Sequence, residues 1–161
     1  LPHRERQGCR MTGVKLICAG KLKEDFYLKA CQEYQKRLSA FCRLEVVEIP
    51  EDTRPGGLER EGEKILAAIP PQSYVVAMCI EGEEMRSREL SRKMEKWQNS
   101  GISRLCFIIG SSEGLSDKVK ERAGLRLSMS PMTFPHHLAR VMVLEQIYRA
   151  FSIAAGSKYH K

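Results

Sequence analysis

Two runs that are apolar at nearly every position, 73–80 (SYVVAMCI) and 104–109 (RLCFII), constrain the fold most. A strand with one wet face alternates polar and apolar residues, so runs like these must be covered on both faces. Helices flanking a parallel sheet give that cover, because each parallel connection needs a long crossover. The remaining segments fit. Residues 14–19 form a short apolar run ending at Gly20, 44–49 alternate and stop at Pro50, and 125–129 make a last short strand. Between them, 23–40 show helical spacing through Phe26, Tyr27, Ala30, Tyr34 and Leu38. Further helices are predicted at 58–68, 87–98, 116–123 and 135–155, and Gly82 is read as closing the third strand. The expectation is one α/β domain without internal repeats or linkers.

A chain of 161 residues is long enough for a substantial core. Residues 1–10 precede Met11, lack the apolar stretch of a secretory signal, and are read as an upstream extension or expression remnant, leaving 11–161 as the domain. No apolar run approaches a membrane span, so the expected location is cytoplasmic. A net charge of +7 favours an anionic partner, although many basic proteins bind no nucleic acid. The six cysteines (Cys9, Cys18, Cys31, Cys42, Cys79, Cys106) show no CxxC spacing and fall in apolar patterns. Buried reduced thiols are expected, with no metal site.

The last helix carries apolar residues on more than one face: Leu138, Val141, Met142 and Tyr148, then Ala139, Val143 and Ala150, then Leu144, Ile147 and Phe151. One stripe suffices for docking on a sheet. The surplus implies either a homodimer surface or a helix sunk deeply within its own subunit.

Chemistry concentrates nearby. Gly110 and Gly114 follow a buried strand at its carboxyl end, where open α/β sheets bind ligands, though a tight turn alone explains them equally well. No P-loop and no GxSxG elbow is present. The run 128–137 (SMSPMTFPHH) combines hydroxyls, two prolines and two histidines at the mouth of a helix. Adjacent histidines there point in different directions and chelate poorly; His136 is a candidate general base or phosphate contact. Arg140 lies one turn on, suited to a phosphate or to solvating the helix. Glu145 and Arg149, four apart, fit an internal ion pair. The tail 156–161 (GSKYHK) either stacks on a base and neutralises phosphate or is simply frayed.

Several blocks in register resemble the RlmH family of SPOUT-class RNA methyltransferases: 20–24 (GKLKE), 107–110 (FIIG) with Gly114, 132–136 (MTFPH), 144–150 (LEQIYRA) and 159–161 (YHK). The resemblance runs from about residue 14 to the end. It implies a parallel-sheet SPOUT fold with a C-terminal trefoil knot, a homodimer, and S-adenosylmethionine held in a bent shape by the knot loops. By position, cofactor contacts fall on Met78, Gly110, Met129, Ser130, Pro131, Met132, Thr133 and Phe134. The implied reaction is methylation of N3 of a pseudouridine in large-subunit (23S) ribosomal RNA, plausibly on assembled ribosomes. His136, Arg140, Tyr159 and His160 are the implied catalytic candidates, the last two donated across the dimer.

The chain departs from the family at Ser111, where relatives often have Gly, at Met78 for a common Leu, and at Pro131 for a frequent Lys. The segment 83–87 also carries more charge than usual. Three rivals remain open, the first two being a SPOUT methyltransferase for another RNA and a ribosome-binding protein that has lost catalysis. A basic α/β protein binding some other nucleotide is the third.

Overall fold

In the computed structural model, which describes residues 11–160, ten elements alternate strictly. They are β1 (Thr12–Ala19), α1 (Asp25–Leu38), β2 (Cys42–Ile49), α2 (Gly57–Ala68), β3 (Tyr74–Glu84), α3 (Ser87–Asn99), β4 (Arg104–Ile109), α4 (Asp117–Arg122), β5 (Leu125–Ser128) and α5 (His136–Ala154). The proposed extension 1–10, Cys9 and Lys161 lie outside the described residues. The five strands form one sheet in the order β2-β1-β4-β3-β5, every pair parallel.

The apolar runs are explained by two cores, one on each face. Leu16, Cys18, Val76, Leu105, Phe107 and Ile109 point to the face carrying α1, α3 and α5. Their neighbours Ile17, Val75, Ala77, Cys106 and Ile108 point to the other, where Ile65 of α2 and Val119 of α4 pack. Successive strand residues face opposite ways, so a strand filling both cores has no position left for a polar residue. Cys18, Cys31, Cys42, Cys79 and Cys106 are all free and buried. Burial pushes the Cys18 and Cys106 thiols up to about 12, which keeps them protonated and inert.

One expectation changes. The third strand does not end at Gly82 but runs on to Glu84. Met78 and Glu83 both pair with Leu127, so the intervening residues bulge out of the ladder. Gly82 lies within that bulge, and Ile80 is pushed out to 55% exposure.

Helix α5 lies against both α1 and α3. Val143, Leu144, Ile147 and Ala150 are sealed, and no residue from 136 to 153 is fully exposed. Much of the surplus apolar surface is thus consumed inside the subunit. Leu138, Val141 and Met142 stay half-buried. Among the described residues, no helix is long and apolar enough to cross a membrane.

Candidate active site

The carboxyl ends of β3, β4 and β5 open into a cavity of about 770 Å³. Parallel strands end together on one edge, and the loops leaving them diverge, so a crevice forms there. Three segments build it: 78–81 from the β3 bulge, 109–115 after β4, and 127–136 between β5 and α5, with Ala139 completing the wall. The volume suits a small organic ligand.

Its walls owe their shape to backbone. Gly110 makes room where no side chain fits: a Cβ would stand 2.2 Å from the carbonyl oxygen of Gly114. Ser111 and Gly114 close a tight turn, the Gly114 N–H donating to the Ser111 carbonyl at 2.9 Å. The loop after β5 is braced by its own hydroxyls. Ser128 Oγ donates to the Ser130 carbonyl at 3.1 Å, and Ser130 Oγ accepts from the Met132 N–H at 3.0 Å. That local turn places Pro131 on the outside, while Met132 is 72% exposed at the cavity.

Of the expected cofactor contacts, Met78, Gly110, Met129, Ser130, Met132, Thr133 and Phe134 line the cavity; Pro131 does not. Of the expected catalytic residues, only His136 does. It starts α5, behind Pro135, whose carbonyl accepts from the Ala139 N–H at 2.9 Å. Its Nε2 is buried 2.7 Å from Glu51 Oε1, but the two are out of line for a hydrogen bond. The His137 ring lies tilted against His136 with centroids 4.1 Å apart, and burial, then the neighbouring His136, lowers its pKa.

Arg140 takes neither of the roles read from sequence. It is 4% exposed, donating from Nη1 to Glu48 Oε2 at 2.8 Å and from Nη2 to the Gly20 carbonyl at 3.0 Å. Burial opposes the Glu48 charge, but hydrogen bonds from Arg140 and from the Leu22 N–H outweigh it and lower its pKa. Arg140 therefore ties the start of α5 to the β1–α1 loop, which passes through Gly20 at φ +97°.

Tyr159 and His160 lie at the opposite end of α5. Between residues 136 and 149 the helix rises roughly 20 Å at 1.5 Å per residue. There the tail folds back on its own subunit: Tyr159 Oη donates to Glu145 Oε2 at 2.7 Å, and Arg149 Nη1 donates to His160 Nδ1 at 3.0 Å. The expected Glu145–Arg149 pair is present at 2.6 Å. Tyr159 packs edge-on against Tyr148, with the Arg149 guanidinium over its ring. The described part of the tail is held, not frayed.

Three residues escaped the sequence reading: two line the cavity, and Glu51 stands behind it against His136. Glu51 comes from a polar loop with no motif. Glu81 and Lys120, paired at 2.6 Å on the rim, meet only because of the bulge. Among the described residues no cluster of His, Cys, Asp or Glu could hold a metal.

Comparison with known proteins agrees with this geometry. The family model described as "Predicted SPOUT methyltransferase" matches residues 12–160. The chain is 44% identical over 157 residues to ribosomal RNA large subunit methyltransferase H of Clostridioides difficile, and 45% identical to that of Leuconostoc mesenteroides. Each match covers 92% of this chain and 99% of the relative. Among solved structures, a "probable methylase family protein" from Haemophilus influenzae superposes with a TM-score of 0.55 at 13% identity, covering 92% of this chain and 70% of that one. A "probable methyltransferase" from Bordetella pertussis gives 0.56 at 14%, covering 86% and 95%. A parallel sheet of this order, a backbone-walled cavity at its carboxyl edge and these relatives agree: the chain belongs to the SPOUT methyltransferases, in the ribosomal RNA large subunit methyltransferase H family.

Proposed function

We propose that this protein transfers a methyl group from S-adenosylmethionine to N3 of a pseudouridine in large-subunit ribosomal RNA, acting in the cytoplasm on assembled ribosomes. The observation that carries the reading is the cavity of about 770 Å³ walled by Gly110 and the 128–134 loop, in a chain whose relatives bear the methyltransferase name. The residues present fit such a donor. Gly110 lets the Gly114 backbone close in on the strand end at the cavity wall, and Met78, Met129, Met132 and Phe134 offer apolar cover for a purine ring. Main-chain groups of Gly110, Met129, Ser130, Thr133 and Phe134 would hold adenine and ribose, and Pro131 would act only by shaping its turn. When bound, the donor supplies a methyl on a sulfonium, a good leaving group.

This chain's residues must align N3 with that methyl and remove the N3 proton. His136 is the group at the cavity suited to the proton. Arg140 fixes the base of its helix from behind. Tyr159 and His160, far from the cavity of their own subunit, would serve the site of the second subunit in a homodimer, through the half-buried apolar positions of α5. The knot belongs to the same reading: β5 and α5 carry the chain from the sheet edge back between α1 and α3, a path suited to threading. Residues 11–161 form the catalytic domain, and 1–10 stand outside it. The basic surface supplies RNA affinity.

The test is transfer of labelled methyl to purified ribosomes, compared with free rRNA and with ribosomes lacking that pseudouridine. Label on N3 in intact ribosomes, absent without the pseudouridine, is expected. Cofactor binding without any transfer would overturn the reading.

A further inference from the structure

Three acids sit close together in sequence: Glu48 is the penultimate residue of β2, and Glu51 and Asp52 follow Pro50. Two of them are spoken for. Glu48 accepts from Arg140 and from the Leu22 N–H. Asp52 accepts from Arg54 and Arg60, which hold its carboxyl well below the usual carboxylate range. Glu51 makes no hydrogen bond among the described residues, and its Oε1 stands 2.7 Å from His136 Nε2.

The space around this pair is made for it. A side chain at Gly20 would place a Cβ 2.7 Å from Glu51 Oε1 and 3.3 Å from His136 Nε2. Gly20 is pinned on both sides, its N–H donating to the Ile49 carbonyl at 2.7 Å and its own carbonyl accepting from Arg140. Glu51 and His136 therefore meet across a glycine held by the sheet and by the helix that carries His136. The Nε2 is sealed while 21% of the His136 side chain stays exposed, so the accessible part of the ring is elsewhere, on the side that lines the cavity.

We propose that Glu51 is a positioning residue for His136, accepting a hydrogen bond from Nε2–H so that the imidazole presents an unprotonated Nδ1 to the cavity. This rests on the methyltransferase reading above and deepens it. In the reaction the N3 proton passes to Nδ1, the N3 electron pair forms the bond to the methyl carbon, and the carbon–sulfur bond breaks with its electrons going to sulfur. The imidazolium formed is stabilised by the Glu51 carboxylate. The contact is within hydrogen-bond distance but off line, and a rotation of the ring brings it into line; catalytic hydrogen bonds commonly tighten only when substrate is bound. His137, tilted against the ring, itself feels His136, Glu24, Arg140 and Glu51, and Glu48 with Lys21 lies beyond Arg140.

The test compares wild type, E51Q and E51D in single-turnover methylation of unmethylated ribosomes across pH. It adds ¹⁵N NMR of the histidine side chains, with His136→Asn giving the assignment. E51Q is expected to lower kcat roughly 10–100-fold with KM within about twofold, its rate rising further with pH as solvent takes over the proton. E51D should recover part of the loss, and it carries the comparison should E51Q fail to fold. His136 should carry its proton on Nε2 in wild type and become a tautomer mixture in E51Q. A kcat within about twofold of wild type, or an unchanged tautomer, would overturn the proposal. Should wild type itself transfer no methyl, the functional reading fails, and the tautomer comparison alone decides whether Glu51 sets the ring.

Discussion

The two ends of α5 differ in how their ionisable side chains are partnered. At the start of the helix, polar atoms are buried without partners: His136 Nε2, His137 Nδ1 and Arg140 Nε. At its far end the Ser152 hydroxyl is also buried without a partner, but the ionisable groups satisfy one another, with Glu145 shared between Arg149 and Tyr159, and Arg149 shared with His160. Buried polar atoms left unpaired cost stability, so each calls for an explanation: a catalytic role, stored strain or a bound molecule. The contrast separates an end whose histidines and arginine leave polar atoms unpaired from an end whose ionisable groups close on one another. It also means that if Tyr159 and His160 serve a second subunit, they must first leave partners they already have.

The sharpest way to break the comparison is Gly110→Val. Its side chain would collide with the Gly114 backbone, so S-adenosylmethionine affinity measured by calorimetry should fall at least about 100-fold, or roughly 2.7 kcal/mol. Retained affinity would show that the cavity wall is not where the donor sits. Next in size, Arg140→Met should destabilise the fold by about 2–4 kcal/mol in urea, because it strips partners from Glu48 and Gly20. The lowered Glu48 pKa sets the sign of the pH dependence. Stabilisation is present above the usual glutamate value and is lost as pH falls through the lower folded value, so the gap between variant and wild type should close in acid.

Gly20→Ala should cost about 1–3 kcal/mol for its positive φ, and should displace Glu51 as well. A crystal structure of that variant with Glu51 unmoved would break the link between the two. The smallest effect belongs to the far end. The hydrogen bond to Glu145, then burial, raises the Tyr159 hydroxyl to about 12. The folded state thus holds this proton more tightly than the unfolded chain, so its stabilisation is full below pH 10 and drains away towards pH 12. Tyr159→Phe should flatten that loss in alkaline melts while leaving cofactor affinity unchanged.

Much of the fold was legible because the apolar runs of β3 and β4 admit few other readings, and nine of ten elements lie within a few residues of their predicted places. Gly82 misled, since a glycine inside a bulge and a glycine ending a strand look alike in sequence. The cavity loops were also legible, through Gly110 and the Ser/Pro run. What was not legible depended on residues far apart in the chain. Arg140 reads as a solvated or phosphate-binding group from its own helix, and only Glu48, 92 positions earlier, reveals it as an internal tie. Glu51 carries no local signal at all; its meaning comes from His136, brought to it by the sheet order.

That order has a bearing on synthesis. β4 lies between β1 and β3, yet it leaves the ribosome after both of them. The first hundred residues can pair β1 with β2 but cannot join β1 to β3, so β3 must wait with its apolar edge unmatched until residues 104–109 emerge. Parallel pairing between distant segments is slow to form. Such waiting chains expose strand edges that invite aggregation. A protein proposed to act on ribosomes would therefore depend, at its own birth, on how long one strand can be kept from the wrong neighbour.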